Sequence, residues 1–192
     1  MLRALGALRQ KTDYRRWAEP RNIYSSWESR TERAAELIPH GSHVIEFGAA
    51  KRVLERHLNP SCTYVPSDIV DRGPGTLVAD LNNRPLPDIG AGVYDAAVFM
   101  GVLEYIRDLP AVVDWLADRV ATCVVSYACA PADSHSLRTL RGAVVRLQHG
   151  WMNSYSAEQL RCLFSERGYA APHEELWEDQ RLFVFSQAAA SW

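Results

Sequence analysis

The sequence predicts an α/β domain: a doubly wound, mainly parallel seven-stranded sheet flanked by helices, ending in a C-terminal antiparallel hairpin. Three observations lead there. Short apolar runs alternate with stretches of helical periodicity, and that order builds parallel strands joined by right-handed crossovers. The run Tyr94 to Gly101, "YDAAVFMG", is almost continuously apolar, which suits a strand buried on both faces. The late stretch "HEELWEDQRLFVFSQ" reads as two final strands in a hairpin.

Composition agrees with one domain. A chain of 192 residues, 47% apolar and 23% charged, can bury a sizeable core and has an ordinary soluble balance. A formal charge of -2 gives no basic excess for nucleic acid and no acidic bias toward disorder. Cys62, Cys123, Cys129 and Cys162 form no Cys-x-x-Cys pair and no zinc-finger spacing with His, so neither a disulfide framework nor a metal is expected. The opening "MLRALGALRQKTDYRR" lacks the apolar core of a signal peptide, and no later segment approaches a membrane span. The expectation is a reduced, cytoplasmic protein with no membrane partner.

Residues 1–39 are helix-prone and charged, and are expected to form a helical arm packed on a single domain over 40–192. In "SSWESRTERAAELI", Ser25 or Ser26 offers an N-cap, and Trp27, Ala34, Ala35, Leu37 and Ile38 supply an apolar face. "PHGSH" breaks that helix, and His43 to Phe47 form the first strand. "KRVLERHL" is a helix with Val53, Leu54 and Leu58 inward. "CTYVPSD" is a second strand closing at Asp68, "TLVADLN" (76–82) a third, Tyr94 to Gly101 the fourth and "ATCVVSYA" the fifth. "YIRDLPAVVDWLADRV" carries helical periodicity with Pro110 in its first turn. "SAEQLRCLFSERG" is a helix capped by Ser156, with Leu160, Leu163 and Phe164 inward and Gly168 as its stop.

In such sheets ligands bind beyond the carboxyl ends of the strands, where strand order reverses. Those positions hold Glu46 with Gly48, then Asp68, then Asp80, then Met100-Gly101. Glu46 and Asp68 stand 22 positions apart, near the roughly 20-residue spacing between a glycine loop and a ribose-binding acid. A carboxylate at Asp68 can accept from both ribose hydroxyls, and Asp80 could meet an adenine amino group. Asp80 also suits an Asx turn with Asn82, Asp71 competes with Asp68, and Asp95 suits a cap at a strand start. A dinucleotide loop reads G-x-G-x-x-G; this chain offers Gly48, Ala50 and Val53, a poor seat for a pyrophosphate. Lys51 and Arg52 would welcome a phosphate, or simply form a solvated helix face.

The residues "VIEFGAA", "SDI", "ADLN", "YDAAVFMGVLEYI" and "SYSAEQLRCLFSERGY" together resemble, in the right order over roughly 40 to 187, the class I S-adenosylmethionine-dependent methyltransferases, in particular small, type 11-like members. The resemblance implies a Rossmann-like sheet, S-adenosylmethionine as cofactor and methyl transfer to a small-molecule acceptor. It implies a donor site of Glu46, Gly48, Ala49, Asp68, Ile69, Asp80, Leu81, Met100 and Gly101. The chain departs from the pattern at Ala50 and Arg52, where glycines are usual, and at Tyr105, where His is common. S-adenosylmethionine has no phosphate and tolerates a looser loop, and its sulfonium favours nearby carboxylates such as Glu46.

Methyl transfer needs alignment of donor and acceptor, plus a base when the acceptor must lose a proton. His149, Glu104 and Tyr105 are the candidates. His149 also suits a helix cap, Glu104 a helix N-terminal acid and Tyr105 a core aromatic. The segment after the fifth strand reads as an acceptor lid: Leu137, Leu140, Val144 and Leu147 on one helical face, Arg138, Arg141 and Arg146 adding charge, His135 and His149 at either end, then Trp151. It would favour an anionic or sugar-like acceptor; the plainer reading is a surface helix with solvated arginines. Tyr14, Tyr24 and Trp27 could close over the donor, with core packing as the alternative for Trp27. The fourth strand ends "FMGVLEY", without an Asn-Pro-Pro-Tyr motif, so nucleic acid is not expected as acceptor. Two rival functions remain: a non-catalytic binding module on the same fold, and a nicotinamide-dependent oxidoreductase, which lacks its glycines and a Tyr-x-x-x-Lys pair. Oligomeric state is not legible.

Overall fold

The structure is a computed structural model, and it describes residues 11–131 and 144–187. Seven strands form one sheet: β1 (His43–Phe47), β2 (Thr63–Asp68), β3 (Leu77–Val78), β4 (Tyr94–Met100), β5 (Val120–Tyr127), β6 (Tyr169–Trp177) and β7 (Gln180–Gln187). Their order is β3-β2-β1-β4-β5-β7-β6. The first five run parallel, and β7 pairs antiparallel with both β5 and β6. The helices are α1 (Tyr14–Ala18), α2 (Glu28–Glu36), α3 (Val53–His57), α4 (Leu109–Ala117) and α5 (Ala157–Ser165), with a further helical stretch over 144–149.

Alternation along the central strands explains the two-sided burial. Val44, Ala96, Val98 and Val124 face one layer, where Ala34 and Ala35 of α2 and Leu54 of α3 cover them. Ile45, Phe47, Ala97, Phe99 and Val125 face the other, under Val112, Val113 and Leu116 of α4 and Leu160 and Phe164 of α5. Side chains on successive strand residues point to opposite faces, so both sets must be apolar and the strand reads as an unbroken run. The α5 cap is complete: the Ser156 hydroxyl accepts from the Gln159 amide, and the Gln159 side chain accepts from the Ser156 amide. Asp108 caps α4, with Pro110 in its first turn.

Three elements differ from the sequence reading. Ser25 and Ser26 do not cap α2; they sit in a 3₁₀ turn (Ser25–Trp27), and Trp27 holds the cap position with no side-chain bond. The third strand shrinks from 76–82 to Leu77–Val78, because only Ser67 and Asp68 pair with it. Asp80 then folds back in the Asx turn, accepting from the Asn82 amide at 2.9 Å. The helix after Gly48 starts late, at Val53, because Ala50 (φ 48) and Arg52 (φ 54) adopt left-handed backbone. These are the two positions where the resemblance calls for glycine. The loop keeps a glycine-like path without the glycines, at a cost of about 1–2 kcal/mol for each side chain held there.

That strain predicts opposite outcomes for two substitutions. Ala50→Gly should raise stability by about 1 kcal/mol in urea denaturation, strain relief exceeding the added chain entropy. Gly48→Ala should lower it by about 1–3 kcal/mol, since Gly48 has φ +74 and an added Cβ would lie 2.5 Å from Val102 Cγ2.

Candidate active site

Strand order reverses between β1 and β4, and the loops leaving these strands meet there. Gly48 follows β1, and its bare backbone accommodates Val102 from the turn after β4. Gly101, with φ +69, brings the end of β4 against the Arg30 guanidinium of α2. Above the junction lies a cavity of about 500 Å³, within the size range of small-molecule sites. Every donor-site position read from the sequence lies on its wall, and so do Glu104, Tyr105 and His149.

Asp68 is the most heavily bonded of them. Its Oδ2 accepts from the Ala50 amide at 3.0 Å and Arg72 Nε at 2.9 Å; its Oδ1 accepts from the Val70 amide at 3.3 Å and Arg72 Nη2 at 3.2 Å. Asp71 instead caps a turn through the Gly73 amide and does not reach the cavity. Arg72 Nη2 also donates to the Trp17 carbonyl, so the acid is tied to the N-terminal arm. Asp80 joins the same arm by accepting from the Tyr14 hydroxyl at 2.6 Å, and Asn82 donates to Thr12 Oγ1 at 3.1 Å. Tyr24 and Trp27 line the cavity and pack edge-to-face.

Lys51 and Arg52 are engaged elsewhere. Lys51 Nζ reaches Ser25 and Glu28, while Arg52 pairs with Glu55 and donates to the Pro74 carbonyl.

On the far side of the cavity, Glu104 sits in a 3₁₀ turn, Leu103–Tyr105, not at the start of a helix, so the helix-dipole reading does not apply. It is 1% exposed. Oε1 accepts from the Ala128 amide at 2.9 Å, and Oε2 has no partner. Burial pushes its carboxyl above the usual range, against the opposing bond from Ala128. Tyr105 packs edge-on against Trp17, with the Arg16 guanidinium over both rings. The His149 ring stacks on Trp151, and its carbonyl accepts from Arg16. Asn153 pins the following segment to the turn after β4 by donating to Leu103 and Ile106 carbonyls at 2.6 and 2.8 Å. Of the lid residues, Val144 is exposed and Trp151 lines the cavity. His135, Leu137, Arg138, Leu140 and Arg141 lie outside the described residues.

The sequence reading missed Arg30, Arg72, Asn153 and Gln180. Arg30 and Gln180 reach the cavity from positions 150 apart, donating and accepting at 2.6 Å. For Arg72 a signal existed: it follows Asp68 by four positions.

Glu46 has a distinctive ionisation. It is 3% exposed and accepts from the Tyr64 hydroxyl. Burial, opposed by the Tyr64 bond and reinforced by Asp68, raises its pKa from 4.5 to about 8. Unfolded, the carboxyl ionises near 4.5; folded, it keeps its proton until about 8. The unfolded state then binds fewer protons across that window, so stability is full below it and falls as pH rises through it. The expected loss is on the order of a few kcal/mol. Glu46→Gln should flatten this part of the stability–pH curve in denaturant titrations between pH 5 and 8.

Comparison with known proteins follows the geometry. Solved structures with this fold include the 1,6-didemethyltoxoflavin-N1-methyltransferase of Burkholderia thailandensis, determined with 1,6-didemethyltoxoflavin and S-adenosylhomocysteine bound: TM-score 0.63, 10% identity, 86% of this chain and 82% of that one. The mitomycin 7-O-methyltransferase MmcR gives 0.64, 13%, 88% and 56%. CalO1, a methyltransferase in calicheamicin biosynthesis, gives 0.61, 14%, 87% and 56% with S-adenosylhomocysteine bound. This chain thus spans little more than half the length of the last two. No curated protein matches at significance. The family model described as methyltransferase domain matches residues 14–174, most of the chain. The protein therefore belongs to the methyltransferase-domain family.

Proposed function

We propose that this enzyme transfers a methyl group from S-adenosylmethionine to a small molecule. The observation that carries the proposal is convergence: the loop after β1, the acids after β2 and β3, and the backbone after β4 share one cavity at the reversal of strand order. The residues fit the donor. Asp68 and Ile69 would hold the ribose side, Asp80 and Leu81 the adenine side, and Glu46, Gly48, Ala49, Met100 and Gly101 the amino-acid end. Lys51 and Arg52, already paired with acids, give little support to a phosphate-bearing dinucleotide.

Asp68 makes the fit conditional. A carboxylate offers about four lone-pair sites, and two amides and Arg72 take them all. Ribose hydroxyls would take the place of the Arg72 bonds. The same saturation favours a second reading, a non-catalytic binding module.

The donor, when bound, supplies a methyl carbon activated by a sulfonium. The chain's own residues have three tasks. The cavity walls align donor and acceptor. Arg16, Trp17, Tyr105 and Trp151 form an aromatic and cationic roof that keeps water out. Glu104, Tyr105 or His149 receives the acceptor's proton when one must leave. An unpartnered Glu104 Oε2 whose pKa is raised by burial suits that task, and His149 stands at the more exposed rim. The neighbours named as methyltransferases of 1,6-didemethyltoxoflavin, of calicheamicin biosynthesis and of mitomycin support a small-molecule acceptor; an anionic or sugar-like acceptor, the exclusion of nucleic acid, a helical arm over 1–39 on a domain over 40–192 and a cytoplasmic location belong to the same proposal. No described helix is long and apolar enough to cross a membrane.

Calorimetry with S-adenosylhomocysteine and, in parallel, NAD tests the reading. S-adenosylhomocysteine should bind with micromolar affinity, and Asp68→Ala should weaken it on the order of tenfold or more. Binding by neither ligand shifts the conclusion to the non-catalytic module; NAD alone shifts it to the oxidoreductase.

A further inference from the structure

The N-terminal arm is bonded to both acids at the ends of β2 and β3. Tyr14 donates its hydroxyl to Asp80 Oδ2 at 2.6 Å, and Thr12 Oγ1 accepts from Asn82 at 3.1 Å. Asp68 is reached through Arg72. The guanidinium grips the carboxylate through Nε at 2.9 Å and Nη2 at 3.2 Å, and the same Nη2 donates to the Trp17 carbonyl at 2.7 Å. The pair is secluded, with the Arg72 and Asp68 side chains 11% and 5% exposed, yet both residues line the cavity. The other bonds on Asp68 come from the Ala50 and Val70 amides, which cannot leave without moving the backbone. Arg72, a long side chain on the loop after β2, is the partner able to give way, and a ribose hydroxyl that reaches Asp68 arrives in its place. Because Nη2 holds Asp68 and Trp17 at once, the guanidinium cannot leave the acid without letting go of the arm or carrying it along. With five residues, α1 is too short to stay helical by itself, so its position rests on such contacts.

We propose that the arm is an internal competitor of the ligand: it latches Arg72 onto Asp68 in the free protein, and a ribose that takes Asp68 unclasps it. The inference rests on the reading of Asp68 as a ribose acceptor and adds a sign to it. A lid that closes over a ligand is held more firmly when the ligand is present. This arm bonds instead to groups that the ligand needs, so ligand and arm oppose each other. Such coupling is reciprocal: whatever arm docking takes from ligand affinity, ligand binding takes from arm docking. Asp80 contributes without being blocked. Its Oδ1 accepts from the Asn82 amide and its Oδ2 from Tyr14, which among the described residues leaves about two of its four lone-pair sites for a ligand. Tyr14 thus acts on Asp68 from a distance, by keeping Trp17, and with it Arg72, in place.

Calorimetry and hydrogen exchange on the full chain test the latch. S-adenosylhomocysteine, with NAD in parallel, is titrated into wild type, Arg72→Gln and Tyr14→Phe. Amide exchange over 12–18 is followed by mass spectrometry with and without saturating ligand. Arg72→Gln should bind S-adenosylhomocysteine about threefold to tenfold more tightly than wild type, and Tyr14→Phe more tightly by a smaller factor. In wild type the ligand should speed exchange across the arm; in Arg72→Gln exchange should be fast before any ligand is added. Binding to Arg72→Gln where wild type shows none supports the latch in its strongest form. NAD binding without S-adenosylhomocysteine binding removes the methyl-donor reading, and the same comparisons made with NAD then decide the latch. The proposal is overturned if the ligand slows exchange over 12–18 or leaves it unchanged, if Arg72→Gln or Tyr14→Phe gains no affinity, or if neither ligand binds any of the three proteins. Thermal unfolding of each variant runs alongside. Should Arg72→Gln not fold, Arg72→Lys carries the comparison: it keeps the charge, lacks the fork that bridges Asp68 and Trp17, and should gain affinity in the same direction.

Discussion

The carboxylate of Asp68 holds the mouth of the sheet together. It closes β2, receives the Ala50 amide from the loop after β1, and fixes Arg72, which reaches the Trp17 carbonyl of the arm. One residue earlier on the same strand, the Ser67 carbonyl accepts from the Ala49 amide at 3.0 Å. Between them these bonds impose on "GAAKR" the path that glycines would take freely. Left-handed backbone at Ala50 and Arg52 costs about 1–2 kcal/mol each, and an amide bonded to a charged acceptor returns about 1.5–3 kcal/mol. The two effects are comparable, so the loop holds its shape without its glycines.

The floor of the cavity is unusual for the number of ionisable groups it buries. Glu46, Glu104 and Arg30 are each nearly inaccessible, and none forms an ion pair with another within contact distance. In a low-dielectric setting the Arg30 charge reaches further than it would in water, and each unsatisfied atom raises the cost of leaving the site empty. Such a floor is poorly optimised for stability alone. It is suited to a ligand that brings charges and hydrogen-bonding groups of its own.

How far the sequence could be read follows from the range of the interactions involved. Apolar alternation is local, so the sheet, α4 and the capped α5 were legible. Strand ends are also local, so Glu46, Asp68, Asp80 and Gly101 could be placed at the mouth. Their bonding was not legible. That Asp68 is saturated depends on Arg72 turning back toward it, and Arg72 in turn on the arm. Glu104 was readable as a candidate base or as a helix N-terminal acid, but nothing in "VLEY" reports that β5 passes close enough for the Ala128 amide to reach it. Arg30 sat in a charged helix among other charged residues. Its burial follows from Gly101 and Gln180, which lie far along the chain.

The hairpin of β6 and β7 contributes more than two edge strands. Gln180 meets Arg30, and Glu175 takes Arg33 at 2.8 and 2.9 Å, so the hairpin buttons onto α2 across some 140 to 150 positions of sequence. Trp177, Glu178, Asp179 and Gln180 form part of the cavity wall. During synthesis from the amino end, the loop after β1 and the acids after β2 and β3 emerge long before that wall exists. Closing so long a span is the slow, entropically costly step of such a topology. That wall cannot form until β7 has been synthesised, so a nascent chain that stops short of β7 lacks the last two strands of the sheet together with one side of the pocket.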